Sequence, residues 1–179
     1  MPDTRLEIAH TSALATDTLV AIRQLLNAAF EGDFNDDDWE HGLGGMHALV
    51  WDGDELIGHG SVVQRRMLHA GRSLRCGYVE AVAVHPDHQR RGHGAMLMGA
   101  LEQIIRDAYE LGALSSSEAA VDFYLARSWE QWRGPTSAFT PHGIERTEDE
   151  DDSTYILRTS TPLDLRGSLT CDWREGDVW

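Results

Sequence analysis

Lysine is absent from this 179-residue chain, so all 15 basic side chains are arginines. A Walker-type phosphate loop, which needs a lysine, is therefore excluded. Cysteine occurs only at Cys76 and Cys171, too few for a disulfide framework and without metal-ligand spacing, so two reduced thiols in a cytoplasmic protein are expected. No apolar run approaches the ~20 residues of a membrane span. Met1-Pro2-Asp3-Thr4-Arg5 lacks the basic-then-apolar pattern of a signal peptide. No Pro/Ser-rich linker and no internal repeat divide the chain, and its length suits one domain, residues 1–179, with a sizeable core. Positive charge is scarce as well. The net charge of −15 would repel nucleic acid and anionic membranes, so neither is an expected partner.

The most informative stretch that is present runs from Val79 to Leu97. Val79 to Val84 is short, β-branched and nearly all apolar, as in a strand covered on both faces. Pro86 ends the ladder because it has no N–H to donate. After Gln89-Arg90-Arg91-Gly92-His93-Gly94, the positions Gly94, Leu97, Leu101, Ile104 and Ala108 recur at helical spacing and predict a helix packed on a sheet. The glycine bend thus lies where the first N–H groups of a helix lack partners, beside two guanidinium charges, and makes an anion site. A dinucleotide fingerprint would need a third glycine where Leu97 stands. A metal at His85, His88 and His93 is disfavoured, since no acidic or cysteine partner has matching spacing.

Elsewhere the pattern predicts a strand at Leu6–His10 and a helix from Asp17 to Phe30, capped by Thr16 or Asp17 and ended by Gly32. One of the aspartates of the acidic, aromatic stretch Glu31–Glu40 is expected to cap a second, short helix running through Trp39 to Leu43. Met46–Trp51 and Leu56–Met67 read as a hairpin about Asp52-Gly53-Asp54, leading through a second turn into the central strand. Further strands are expected at Leu111–Ser117, Trp132–Phe139 and Thr154–Arg158, with a helix over Ala119–Trp129. Glu80 is the lone charge between Gly77 and His85, and a carboxylate in an apolar inner strand is costly unless paired, hydrated or used. Three acidic segments, Asp33–Glu40, Glu145–Asp152 and Asp172–Trp179, are expected to converge on one mouth suited to a small polycation. There Trp39 and Trp179 would add flat cation–π surface and the last residue its carboxylate. The tryptophans of the tail argue that it packs back onto the body.

The run Gln89–Gly94 resembles, at every defined position, the Gln/Arg-x-x-Gly-x-Gly/Ala acyl-coenzyme A loop of the GNAT-type N-acetyltransferase superfamily. Phe123-Tyr124, followed by Ser128-Trp129, resembles a second element of that superfamily, with Ser128 in place of the usual glycine. Longer strings are similar to the aminoglycoside 2'-N-acetyltransferase family over essentially the whole chain. They include Gly32-Asp33-Phe34, Asp38-Trp39-Glu40-His41, Arg75-Cys76-Gly77-Tyr78-Val79-Glu80, Gly134-Pro135-Thr136-Ser137 and Gly176-Asp177-Val178-Trp179.

The resemblance implies an α/β (α+β) acyltransferase fold, with a mixed, mostly antiparallel sheet of about seven strands flanked by about four helices. It implies acetyl-CoA as donor, a 2'-amino aminoglycoside as acceptor, and a homodimer. It also implies an acceptor site lined by Asp38, Glu80, Ala81 (by backbone), Ser115, Glu150, Asp177 and Trp179, to which the acidic, aromatic loop adds Asp33 and Trp39 as candidates. Glu80 is then the expected base, through water, and Tyr124 the acid. The N–H groups of Val82 and Val84 would hold the pantetheine arm, and Gln89, Arg90, Arg91, Gly92, His93, Gly94 and Ala95 the pyrophosphate. Two alternatives remain open at this level: the same chemistry on a polyamine or a cell-wall amino sugar, and a non-catalytic binder of a cationic drug or of acyl-CoA.

Overall fold

The computed structural model describes residues Thr4–Trp179. The chain divides into two compact units, residues 1–63 with 79–104 and residues 64–78 with 105–179. Among the described residues there are ten strands and four α-helices. The extra three strands relative to the expected seven are short ones of two to four residues, too brief for an alternating pattern to register.

In the first unit, strand β1 (Thr4–His10) lies antiparallel to β2 (Met46–Asp52), Thr4 opposite Asp52 and His10 opposite Met46. β2 turns at Gly53, φ +58°, into β3 (Glu55–His69), and their register slips between Val50 and Trp51. β4 (Arg72–Val84) follows β3 in the strand order. Helix α1 (Thr16–Ala29) buries Ile22, Leu25 and Leu26 against Phe34, Leu49, Leu56 and Ala83. Each such aliphatic side chain contributes about 1.5–3 kcal/mol. Neither Thr16 nor Asp17 caps α1: Ala15 holds the cap position without a side-chain bond, and Asp17 serves only the helix dipole. Gly32, φ +84°, does close the helix, its N–H donating to the Asn27 carbonyl. Helix α2 (Asp36–His41) starts from Asn35, not from an aspartate. Asn35 Oδ1 accepts from the Asp38 N–H and Asp38 Oδ2 from the Asn35 N–H, both at 3.0 Å, a reciprocal capping box.

Helix α3 (His93–Ala108) buries Leu97, Met98, Leu101 and Ile105, so Ile105 rather than Ile104 continues the stripe and Ala108 is exposed. Its first-unit half comes close to the sheet because β3 carries glycine there. A Cβ on Gly60 would lie 2.9 Å from Leu101 Cδ1, and one on Gly58 3.2 Å from Leu97 Cδ1.

In the second unit, β5 (Leu111–Ser115) pairs parallel with β4 only from Cys76 to Tyr78, and antiparallel with β9 (Thr154–Arg158). β6 (Glu130–Gln131) edges β9. β7 (Thr136–Thr140) forms a hairpin with β8 (Gly143–Arg146) and lies parallel to β10 (Leu169–Cys171), which pairs antiparallel with β3. The predicted strand over Trp132–Phe139 is therefore broken: β6 ends before Trp132 and β7 begins at Thr136. The predicted helix over Ala119–Trp129 is a single 3-10 turn at Glu118–Ala120 followed by α4 (Val121–Leu125). Trp129 and Trp132 are buried, and the Trp132 indole N–H donates to the Gly167 carbonyl at 3.1 Å. No helix among the described residues is long and apolar enough to cross a membrane.

Candidate active site

The glycine bend forms as its residues dictate. β4 ends at Val84, Pro86–His88 make one 3-10 turn, and α3 begins at His93. Gly92 has φ +87°, where a side chain would strain the backbone, and Arg90 sits at φ +60° despite its Cβ. The first bond entering the helix runs from the Met96 N–H to the Gly92 carbonyl at 3.0 Å. The N–H groups of His93, Gly94 and Ala95 precede it and have no helical acceptor. Arg90 and Arg91 are exposed beside them. This donor set, with the positive helix end and two guanidinium groups, fits a pyrophosphate. Gln89 is exposed as well, and its side-chain amide donates to the Val84 carbonyl at 3.2 Å and braces the bend. His85, His88 and His93 stack edge to face or tilted, ring centroids 5.8 and 6.4 Å apart, and no metal-holding group of His, Cys, Asp or Glu occurs among the described residues.

Upstream, β4 is kinked at Ala81, φ +50°. A residue with a Cβ held there costs on the order of 1–3 kcal/mol. The kink is held by a hydrogen bond between His59 Nδ1 and the Ala81 carbonyl at 2.8 Å. Glu80, the half-buried carboxylate, is adjacent, and its carbonyl accepts a long bond, 3.4 Å, from Ser61 Oγ. The end of α2 comes close to the kink, since a Cβ on Gly42 would lie 3.9 Å from that of Ala81. Trp39 and Ala81 pack on one core cluster. Trp39 does not offer a free cation–π face on both sides. The Arg23 guanidinium lies 5.5 Å from its ring centroid and also pairs with Asp36. Asp38 is engaged in the capping box, whereas Asp33 is exposed.

The second unit joins two of the three acidic segments. The Trp179 indole N–H donates to Thr147 Oγ1 at 2.9 Å. Glu150 accepts from Ser115 Oγ at 3.1 Å and from Ser153 Oγ at 2.8 Å. Asp151 is spent on structure: bonds from Arg146 and from Thr136 hold its carboxyl far below the usual carboxylate range. Trp179 is a correction to the expected flat surface, because it is 3 % exposed and its ring is part of the core. Its backbone oxygen accepts from Arg174 at 2.9 Å, within the tail. Trp173, by contrast, is 43 % exposed, so only one of the tail tryptophans packs back. Asp177 is exposed, with Oδ1 accepting the Trp179 N–H. The third acidic segment, Asp33–Glu40, belongs to the first unit.

Tyr124 is 9 % exposed and rests against Trp129, ring centroids 6.1 Å apart. Burial pushes its phenol up to about 12, so it carries its proton at neutral pH.

His47 and His59 escaped the sequence analysis. The signal was present, since each is a polar residue inside an apolar strand run, as Glu80 is. Leu49 faces His59 across the β2–β3 ladder, which puts His47 two residues along on the same face.

The acetyltransferase (GNAT) family model matches residues 19–129. The chain is 49 % identical over 176 residues to an aminoglycoside 2'-N-acetyltransferase of Mycolicibacterium fortuitum, covering 96 % of this chain and 90 % of that one. Among solved structures, a GNAT family acetyltransferase of Brucella melitensis in complex with acetyl-CoA aligns with a TM-score of 0.60 at 15 % identity, over 92 % of this chain and 94 % of that one. A GCN5-related N-acetyltransferase of Kribbella flavida aligns with a TM-score of 0.57 at 19 % identity, over 75 % of this chain but only 34 % of that longer one. At such identities the two structures speak to fold alone.

Proposed function

The chain belongs to the acetyltransferase (GNAT) family, and we propose that it transfers acetyl directly from acetyl-CoA to the 2'-amino group of aminoglycoside antibiotics and so confers resistance. Two things support the acceptor: 49 % identity along nearly the whole chain to an enzyme of that name, and a net charge of −15 that draws a polycation. The observation that carries the donor side is the start of α3, where unpaired N–H groups adjoin Arg90 and Arg91.

Acetyl-CoA supplies the acetyl group as a thioester. Around it each residue has one task. Gln89 to Ala95 form the pyrophosphate bend, the N–H groups of Val82 and Val84 hold the pantetheine arm, and the Val82 N–H also polarises the thioester carbonyl. Glu80 takes a proton from the bound ammonium, through water, and the neutral amine then attacks, which resolves the conflict between binding a cation and reacting as an amine. Tyr124 returns a proton to the leaving sulfur, and its raised phenol keeps that proton available. Asp33, Asp38, Trp39, Ala81, Ser115, Glu150 and Asp177 recognise the acceptor, and Trp179 holds the Thr147 side of that rim from the core. The protein works as a single catalytic domain in a cytoplasmic homodimer.

The test is incubation with acetyl-CoA and a 2'-amino aminoglycoside, with thiol release followed and the acetylated nitrogen located by NMR. Turnover with acetyl at the 2' nitrogen, and none on an analogue bearing 2'-hydroxyl, is expected. Equal turnover of both compounds would overturn the acceptor assignment.

A further inference from the structure

We infer that His59, oriented in turn by His47 and Thr11, is a positioning residue that aims the Val82 N–H, on the role for that N–H proposed above. Both histidines are 1 % exposed. His59 Nδ1 lies 2.8 Å from the Ala81 oxygen, and His59 Nε2 lies 2.9 Å from His47 Nδ1. His47 Nε2 lies 2.6 Å from Thr11 Oγ1, which accepts the Gly44 N–H at 2.9 Å.

The direction of every proton in this chain follows from its last member. A carbonyl oxygen only accepts, so His59 Nδ1 carries the hydrogen. A neutral imidazole then has a bare Nε2, which accepts from His47 Nδ1–H. That leaves His47 Nε2 bare, and the Thr11 hydroxyl donates to it. A second proton on His59 would set two N–H groups against each other, whereas one on His47 Nε2 would turn the Thr11 hydroxyl to the Gly45 carbonyl, 3.3 Å away, so the shorter 2.6 Å contact is what gives that hydrogen to His47. The relay therefore has a neutral His59, and both rings are protonated at Nδ1.

Its effect passes through one rigid group. The Ala81 carbonyl and the Val82 N–H belong to the same planar peptide and, in the trans form, point opposite ways. No cis peptide occurs among the described residues. Drawing the carbonyl toward His59 thus turns the N–H to the other side of the strand and holds it there. It does so at the one residue of β4 whose backbone lies in the left-handed region. A hydrogen-bonded carbonyl also makes its own N–H a stronger donor. None of this needs His59 to touch a reactant.

Three variants and one spectrum test the relay. His59→Asn keeps an N–H at the place of Nδ1, His59→Gln moves it to that of Nε2, and His59→Leu removes it. Expected are a 10- to 100-fold loss of kcat in His59→Leu and in His59→Gln, with KM for both substrates within threefold, and kcat within fivefold of wild type in His59→Asn. In the wild type, nitrogen-15 NMR should show protonated Nδ1 and bare Nε2 for His47 and His59.

A folded His59→Leu with wild-type kcat, equal rescue by Gln and Asn, or a hydrogen on His59 Nε2 would each overturn the positioning role. If His59→Leu does not fold, the Asn–Gln contrast and the spectrum still decide. Val82→Pro, which deletes the N–H itself, separates this inference from the role it rests on. A fast Val82→Pro removes the role of the N–H and with it the positioning inference. A slow Val82→Pro beside a fast His59→Leu removes only the positioning.

Discussion

The glycine bend before α3 and the acidic rim of the second unit are built on opposite plans. The bend is one contiguous stretch, Val84 to Ala95, and its working groups are mostly main-chain N–H atoms aimed by Gly92 and by the start of α3. The rim is made of side chains from three segments far apart in sequence, one with Ser115, one with Thr147 and Glu150, and one with Trp179, held by one another's hydrogen bonds. A backbone site tolerates changes in side chain but not in φ. A side-chain site behaves the other way round. Many carboxylates in a sequence are also not many free carboxylates: Asp151 holds Arg146 and Thr136, and Asp38 caps the start of a helix.

Substitutions can break this contrast. The largest effect is expected at Glu80, a single side chain with a proton-transfer task. Glu80→Gln should lower kcat by about 10²–10⁴ and flatten the pH–rate profile, while Tyr124→Phe lowers kcat with little change in the KM for acetyl-CoA. Unchanged profiles would remove either residue from the chemistry. Next comes Gly92→Ala. Open space surrounds its Cβ position, so only the left-handed φ of +87° resists. A penalty of about 1–2 kcal/mol should raise the KM for acetyl-CoA roughly 5- to 30-fold.

The kink in β4 gives a pH signature. Burial holds the neutral forms of His47 and His59, with both pKa values well below the ordinary histidine value and that of His47 at about 4. An unfolded chain protonates them near 6.5. The associated stability is therefore complete above pH 6.5 and is lost as the pH falls through about 4. For His47 alone the loss is on the order of 3 kcal/mol. Denaturant midpoints measured between pH 7 and 4 should fall steeply, and the slope should flatten in His47→Asn.

The smallest effect belongs to Arg90→Ala. An exposed cation should cost only about two- to fivefold in acetyl-CoA affinity at low salt, and less at high salt. A loss larger than that of Gly92→Ala would mean that charge, not backbone, holds the pyrophosphate.

Legibility followed the same divide. The strand–bend–helix unit and the main strands of the sheet could be read along the chain, because each depends on neighbours within a few residues. The cap of α2 was misread because four residues in a row from Asn35 to Asp38 can each accept an N–H, and only the helix start decides among them. Ile105 displaced Ile104 because both lie within the reach of one helical stripe, and contact with the glycines chose between them. Gly77 and Gly112 both open onto Ile105.

By itself, then, the sequence determined the strand–bend–helix unit that runs from β4 into α3, since β-branched residues, a proline, two glycines and a helical stripe leave that segment little choice. Only the tertiary structure decided which carboxylates are free, that Trp179 is core rather than open surface, and that His59 reaches Ala81 twenty-two residues away. Those outcomes are set by contacts between distant segments, where burial and the demand for paired polar groups select one partner among several that the sequence allows.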